Sequence, residues 1–449
     1  MKRLPRIIVI LVVLAFVLRL VPVFTSYFFW DETVYLQNAM VLSGEGAFYD
    51  ELSSRPILLP LVLSVHGPID IEVFARFVVA LFGSLSVLVA YLFGRKYDEK
   101  TGVVAAMLMC VMPMHILFSR MVLTDVAAAM LMAASILVFL QRRSAPGWAG
   151  VLFGLSVLMK FTSVLALVVI ALAVVAGYAR LRSVIAFAFG GAVTIGPFLV
   201  WSAYVFGSPF SVFFEGYRVV DVYDPVSLGF VLVLIVQCFS LLLVGIAVSA
   251  YRVIRSDRVD RYSLVLFGWL AVMVLSFVFV LQKGVAMPPG LEWELARFLM
   301  PALIPGVVLA AREAARCSYR AIAVFGVVFV VINTGVYALA FSDPISHEDG
   351  LRVVSKEASF FLDEVLGEDA MIAADNWPVV AYYAQRSVRP VHEPAHAYMV
   401  LIPAGERGGS FDESFCAGSW CALVSVDSDA FGAVGTGVLV DEPHTPLVT

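Results

Sequence analysis

The sequence predicts an all-α polytopic membrane protein of about eleven transmembrane helices, followed by a small C-terminal extracytoplasmic α/β domain. Three observations lead there. Of 449 residues, 61% are hydrophobic and only 14% charged, with a mean hydropathy of +0.93; a soluble domain carries about 25% charged residues. Apolar stretches close to the ~20 residues a spanning helix needs recur until about Phe341. Basic and acidic residues then alternate from one connection to the next, as the positive-inside rule requires.

The spans fall near 7–25, 73–95, 101–118, 122–140, 148–160, 162–178, 183–205, 226–250, 263–282, 297–311 and 320–341. The first is too long for a cleavable signal peptide and is interrupted by Arg19, so it reads as a retained helix. The 148–160 stretch is short, and it either breaks at Lys160 or merges with its neighbour. One set of connections carries Lys2, Arg3 and Arg6, then Arg95, Lys96 and Lys100, Arg142 and Arg143, Arg180 and Arg182, Arg252 to Arg261, and Arg312 to Arg320. That side, with the N-terminus, is read as cytoplasmic. The other set holds Asp31, Glu32, Glu45, Asp50, Glu51, Asp125, Glu215, Asp221, Asp224, Glu292 and Glu294. The net charge of −5 says little, because the signs are segregated by side.

The longest outer connection is 26–72. Thr33 to Leu42 has helical spacing and is broken by Gly44-Glu45-Gly46. Arg55-Pro56 then opens a second apolar stretch that ends at His66-Gly67-Pro68, too short to span. Two interfacial helices along the outer membrane surface fit this pattern. Ser342-Asp343-Pro344 marks a boundary, dividing a membrane domain (1–342) from a soluble one (343–449). In the tail, 355–366 and 379–385 read as helices, 371–374 and 422–426 as strands. Cys110 and Cys238 lie in apolar segments as packing residues, and Cys317 lies in a basic loop. Cys416 and Cys421 either form a disulfide, if the tail is outside, or stay reduced. No internal repeat, Gly-rich phosphate loop, zinc spacing or glycosylation sequon occurs, and nothing calls for a nucleic-acid partner.

Chemistry points to Trp30-Asp31-Glu32, adjacent carboxylates at the mouth of the first hydrophobic segment. An ionisable residue at a membrane boundary is costly and is a functional hypothesis by default. Helix capping accounts for one of the two acids, but not for the cations that accompany them. Arg19, Arg55, Arg76, Arg120, Lys160, Lys283 and Arg297 fall near the outer ends of the helices, with Asp125, Glu292 and Glu294. Cations beside acids suit two tasks, binding an anionic group such as phosphate and accepting a proton from a nucleophile. Each also has a plain structural use: Arg120 pairing with Asp125, Lys160 snorkelling, Arg76 and Arg297 anchoring an interface. Arg19 is harder to dismiss, since a cation inside an apolar helix needs a partner. His66 and His115 lie on the same side; two histidines in separate segments are a weak metal signal, and they read as structural.

Asp31-Glu32-Thr33-Val34-Tyr35 followed by Arg55-Pro56-Ile57-Leu58 resembles the first outer loop of the GT-C glycosyltransferases. Within them, the similarity is to the protein O-mannosyltransferase and aminoarabinose (lipid A) transferase branch. Ser119-Arg120 through Asp125, Gly154-Leu155 through Lys160-Phe161-Thr162, and Arg297-Phe298-Leu299-Met300-Pro301 resemble further elements of that family. Position 57 is Ile where a second proline is common, and the tail has no specific match.

The resemblance implies a transferase that moves a sugar from a polyprenyl- or dolichyl-phosphate-linked donor to an acceptor hydroxyl on the extracytoplasmic side. It implies Asp31 as general base with Glu32 as its acidic neighbour. It implies Arg19, Arg55, Arg120, Lys160 and Arg297 on the donor phosphate, and Tyr35 and Asp125 on substrate. The lipid-phosphate-linked sugar is the donor substrate; a divalent metal is compatible with the site, but no metal ligand is assigned. The partners are the bilayer and an acceptor glycan, lipid or protein. A transporter or flippase of lipid-linked sugars is the alternative, and it predicts matched helix breaks and an internal repeat.

Overall fold

The computed structural model describes residues 4–20, 30–45, 55–141, 146–178, 181–213, 227–256, 260–282, 292–318, 320–332 without 323 and 325, residue 359, and five short strands in the tail. The helices are α1 (Arg6–Leu20), α2 (Trp30–Ser43), α3 (Leu58–Leu63), α4 (Ile71–Gly94), α5 (Glu99–Cys110), α6 (Pro113–Phe118), α7 (Thr124–Phe139) and α8 (Pro146–Met159). A 3-10 turn (Phe161–Leu165) leads into α9 (Ala166–Val175), then α10 (Leu181–Phe206), α11 (Leu228–Phe239), α12 (Leu242–Arg255) and α13 (Arg261–Gln282). A second 3-10 turn (Glu292–Leu299) runs directly into α14 (Met300–Ala314), and α15 covers Arg320–Ile332.

Local chemistry sets these boundaries. Asp70 accepts a hydrogen bond from the Val73 N–H (3.0 Å) and starts α4; Asp98 does the same for α5 through Thr101 (2.7 Å). Gly44 takes a positive φ of 78° just past the end of α2, where a side chain would be strained. The Pro113 ring sits in the first turn of α6, where its missing N–H costs nothing.

The core lies among α4, α5, α7 and α14. Of the long apolar window of α14, 78% is buried against protein, against 22% for α10, which therefore stands at the periphery. Among the described residues four helices are long and apolar enough to cross a membrane: Ile71–Gly94, Arg182–Phe206, Arg261–Phe279 and Leu295–Ala314. The pair α11 and α12 adds a fifth if it is counted as one span.

Two of the expected straight spans are broken. The 101–118 stretch is divided into α5 and α6 at Val111-Met112, because Pro113 cannot continue the helix before it. The 226–250 stretch bends by 91° at Ser240, whose φ of 43° no α-helix accommodates. Helices α7, α8 and α9 are apolar but only 10–17 residues long.

The outer connection does hold two short helices, α2 and α3, at the places its periodicity indicates. In the tail, the strands Ile372–Ala374, Val388–Pro390, Ala397–Pro403, Glu413–Ala417 and Trp420–Ser425 (β1 to β5) form one sheet in the order β2-β1-β3-β5-β4. β1 is parallel to both its neighbours, and β3, β5 and β4 are antiparallel. Its register sets Cys416 opposite Cys421. The helices expected at 355–366 and 379–385 lie outside the described residues, apart from Ser359.

The tightest helix contact joins α8 to α10 through glycines. A Cβ at Gly150 would strike the Phe187 carbonyl oxygen, and one at Gly190 the Gly147 carbonyl oxygen. Small residues let apolar helices approach where no hydrophobic force drives them together. Gly150→Ala should therefore lower thermal stability in detergent by about 1–3 kcal/mol, the usual cost of overpacking. Gly229→Ala, with nothing within 4 Å of its Cβ position, should melt as the unmodified protein does. Equal melting temperatures for the two variants would disprove the close approach.

Candidate active site

Asp31 lies in the first turn of α2, where a helix N-terminus favours an acid. Two arginines from distant parts of the chain grip it. Arg55, just before α3, places Nη2 3.1 Å from Oδ1, and Arg297, in the 3-10 turn before α14, donates from Nη2 to Oδ2 at 2.8 Å. Exposure is graded across the cluster: the Arg297 side chain is 13% exposed, Asp31 20% and Arg55 37%. The site therefore has a closed side and an open one. Burial pushes the Asp31 carboxyl up, but Arg55 and Arg297, with Lys160 behind them, hold it down at about 2.

A second layer supports the first. Asp125, in the first turn of α7, forms an ion pair with Lys160, which caps the 3-10 turn after α8. Both side chains are largely buried. The Lys160 ammonium sits 4.4 Å from the centre of the Phe298 ring, and the Arg297 guanidinium 5.4 Å from it. One aromatic face thus orients both cations. The Tyr35 hydroxyl is 3.4 Å from Thr124 Oγ1 on α7. Burial, with the Asp31 charge, pushes that phenol up to about 12, so it stays protonated at neutral pH.

Glu32 does a different job from its neighbour. It is buried, and its Oε1 accepts the Val122 N–H at 2.8 Å, tying α2 to the connection before α7. Asp31 faces the cations and Glu32 faces backbone.

The structure thus brings together Asp31, Arg55, Arg297, Lys160, Asp125 and Tyr35, and places Glu32 as a brace. It does not bring Arg19 to this cluster. Arg19 is fully buried and donates to the Ala15 carbonyl (2.8 Å) and to the Met109 and Cys110 carbonyls (3.4 and 3.5 Å). Its Nη2 also lies 2.8 Å from His115 Nδ1. Those carbonyls end α5 at the break before α6, and a cation there answers acceptors that have no partner inside the helix. Gly83 leaves the room: a Cβ on it would come within 2.8 Å of Arg19 Nε.

Arg120 lies two residues before Val122, and its carbonyl accepts from Arg76 at 3.2 Å. Asp125 pairs with Lys160 rather than with Arg120. His66 Nδ1 bonds the Ile69 carbonyl oxygen (2.7 Å) and its Nε2 lies 3.1 Å from Glu45, and His115 is engaged by Arg19, so each histidine has a structural use. Lys283 lies outside the described residues, as do the side chains of Glu292 and Glu294. Among the described residues no three His, Cys, Asp or Glu side chains converge as metal ligands would. Thr124 and Phe298 were not singled out by sequence, although Phe298 adjoins Arg297 in the motif that carries the resemblance.

Comparison with solved structures decides the fold. ArnT from Cupriavidus metallidurans bound to undecaprenyl phosphate superposes with a TM-score of 0.67 at 15% identity, covering 94% of this chain and 98% of that one. Its apo state gives 0.66 over the same extent. The chain has the GT-C fold. An Archaeoglobus fulgidus oligosaccharyltransferase, solved with zinc and sulfate, matches at a TM-score of 0.50 and 17% identity, covering 86% of this chain and 62% of that one. Within the GT-C fold, residues 55–204 match the family model of dolichyl-phosphate-mannose-protein mannosyltransferases, about a third of the chain. That stretch contains Arg55, Arg120, Asp125 and Lys160 and excludes Asp31 and Arg297. None of the curated proteins matches the sequence.

The depressed Asp31 carboxyl is also a statement about stability. Its charged form is favoured in the fold, so the contribution is complete above the ordinary carboxylate range and disappears as pH falls toward about 2. A drop from 3.8 to about 2 corresponds to about 2 kcal/mol at neutral pH. Thermal unfolding of the unmodified protein and of Asp31→Asn should differ at pH 7, and the gap should narrow once pH falls below about 4. A gap that is constant from pH 7 to 3 would rule out the ion-paired carboxylate.

Proposed function

We propose that the protein is a membrane glycosyltransferase that moves a sugar from a polyprenyl- or dolichyl-phosphate-linked donor to an acceptor hydroxyl on the extracytoplasmic side. One observation carries this reading: a partly open carboxylate, Asp31, gripped by Arg55 and Arg297 beside the Lys160–Asp125 pair. The mannosyltransferase family match over 55–204 and the fold shared with ArnT, a protein solved with undecaprenyl phosphate bound, support the donor class.

Arg55, Arg297 and Lys160 receive the donor phosphate, and Arg120 is a further candidate for it. The leaving group is already an anion, so the site needs cations and not an acid to release it. Asp31 takes the proton of the acceptor hydroxyl as that oxygen attacks the anomeric carbon from the face opposite the phosphate, with inversion. Tyr35, kept protonated, holds a substrate oxygen, and Glu32 fixes the position of α2. The prenyl chain lies along the helix surfaces in the bilayer.

Asp31→Asn should abolish transfer of labelled sugar from a prenyl-phosphate donor, with the protein still folded. Arg297→Ala should raise the donor concentration needed for half-maximal rate at least roughly tenfold, the scale of one lost charge-assisted hydrogen bond. Undiminished transfer by Asp31→Asn sinks the assignment of the base.

In the same reading, the chain spans the membrane about eleven times with a cytoplasmic N-terminus, and the tail domain lies outside. Cys317, exposed beside a run of arginines, then faces the cytoplasm. In a background with Cys416 and Cys421 replaced by Ser, a membrane-impermeant maleimide should label Cys317 only after the cells are permeabilised. Labelling of intact cells would invert the topology.

A further inference from the structure

A carboxylate keeps lone pairs beyond those a guanidinium engages, but each cation held against it makes it a weaker base. In this structure each carboxylate oxygen of Asp31 is engaged by a guanidinium, Oδ1 by Arg55 and Oδ2 by Arg297. The same two arginines are the cations best placed for a donor phosphate. We infer that Arg55 and Arg297 are exchanged between Asp31 and the donor phosphate, so that binding the donor is what makes Asp31 basic enough to take the proton. This rests on the glycosyltransferase reading above and specifies how its site is switched on.

The charges support the exchange. Arg55, Arg297 and Lys160 face Asp31 and Asp125, three cations against two carboxylates, and Tyr35 is neutral. During transfer the acceptor O–H bond breaks and its proton goes to Asp31. The acceptor oxygen bonds to the anomeric carbon, and the bond from that carbon to the phosphate oxygen breaks with its electron pair. Asp31 thereby loses a negative charge and the phosphate gains one, becoming a monoester dianion. The total charge is unchanged; it moves from the carboxylate to the phosphate. Arginines that move the same way follow the charge.

The anatomy fits. Arg55 is the most exposed member of the cluster and stands just before α3, outside any long helix. Arg297 is more buried, near the Phe298 ring, and its planar fork suits a phosphate as well as a carboxylate. Lys160 keeps its pair with Asp125 while it faces the phosphate, so the second layer is preserved while the first rearranges.

The exchange makes an unusual prediction. If Asp31 competes with the phosphate for the arginines, Asp31→Asn should bind a prenyl phosphate in detergent micelles more tightly than the unmodified protein does, by roughly tenfold, although it cannot catalyse transfer. Simple repulsion between Asp31 and phosphate would give some of the same gain, so the test is a double-mutant cycle with Arg55→Ala. Exchange requires the gain from Asp31→Asn to shrink in the Arg55→Ala background; repulsion alone leaves it whole. Unchanged or weaker binding by Asp31→Asn, or a gain independent of Arg55, overturns the inference.

A second readout needs no variant. The acid limb of kcat/KM for the donor reports the free enzyme, and that of kcat the donor-bound one. The limb in kcat should lie at higher pH, and coincident limbs count against exchange. A protein that neither binds prenyl phosphate nor transfers sugar fails the glycosyltransferase reading itself. Binding with no gain in Asp31→Asn fails the exchange alone.

Discussion

The double ion pair on Asp31 is the constraint on which the site depends. It joins α2, the segment before α3 and the turn before α14, and Arg297 is 266 residues from the carboxylate it bonds. Two guanidinium groups brought together in a partly buried place repel each other, and a carboxylate between them removes that cost. Taking the acid away removes the charge that offsets the repulsion between them. Taking one arginine away leaves the acid held by the other. The three segments are consequently placed by one another, and this makes an open, charged cleft compatible with a defined geometry.

A second polar problem is solved deeper in the fold, and it accounts for the position of Arg19 away from the Asp31 cluster. Breaking a helix at Val111-Met112 leaves carbonyls without partners in an apolar setting, where an unsatisfied group is expensive. Arg19 supplies donors to them from α1, and His115 and Ser119 complete the cluster. A cation in an apolar helix needs a partner, and within the protein Arg19 finds it at a helix end.

What could be read from the sequence follows from the range of each interaction. Membrane class, the two short helices of the outer connection and the tail strands near 372 and 422 rest on local composition and periodicity, and they are where the pattern puts them. Asp31, Arg55 and Arg297 were legible as candidates because charge is rare in this chain. Their pairing was not, since nothing local links position 31 to position 297. The two helix breaks have different standing. Pro113 is a printed signal that hydropathy alone overrides. Ser240 carries no such signal, and its backbone is set by the packing of the helices on either side of it.

Arg297 is placed precisely because α14 is fixed at both ends. At one end, its 3-10 turn carries Arg297 to Asp31 and sets Phe298 beside Lys160. At the other, Arg312 pairs with Asp260 at 2.9 Å, donates to Ser263 at 2.6 Å and lies over Tyr97, while Glu313 meets Arg252 and Arg316. Between these ends the helix is the most buried of the long apolar segments. A strut held in this way can neither slide nor rotate without breaking ion pairs at one end or the other. Arg55 stands just before the short helix α3 and is the more exposed of the two. The two arginines on Asp31 therefore differ in how they are carried: the backbone under Arg297 is fixed, so that arginine changes partner by its side chain alone, whereas Arg55 is not carried on a long helix.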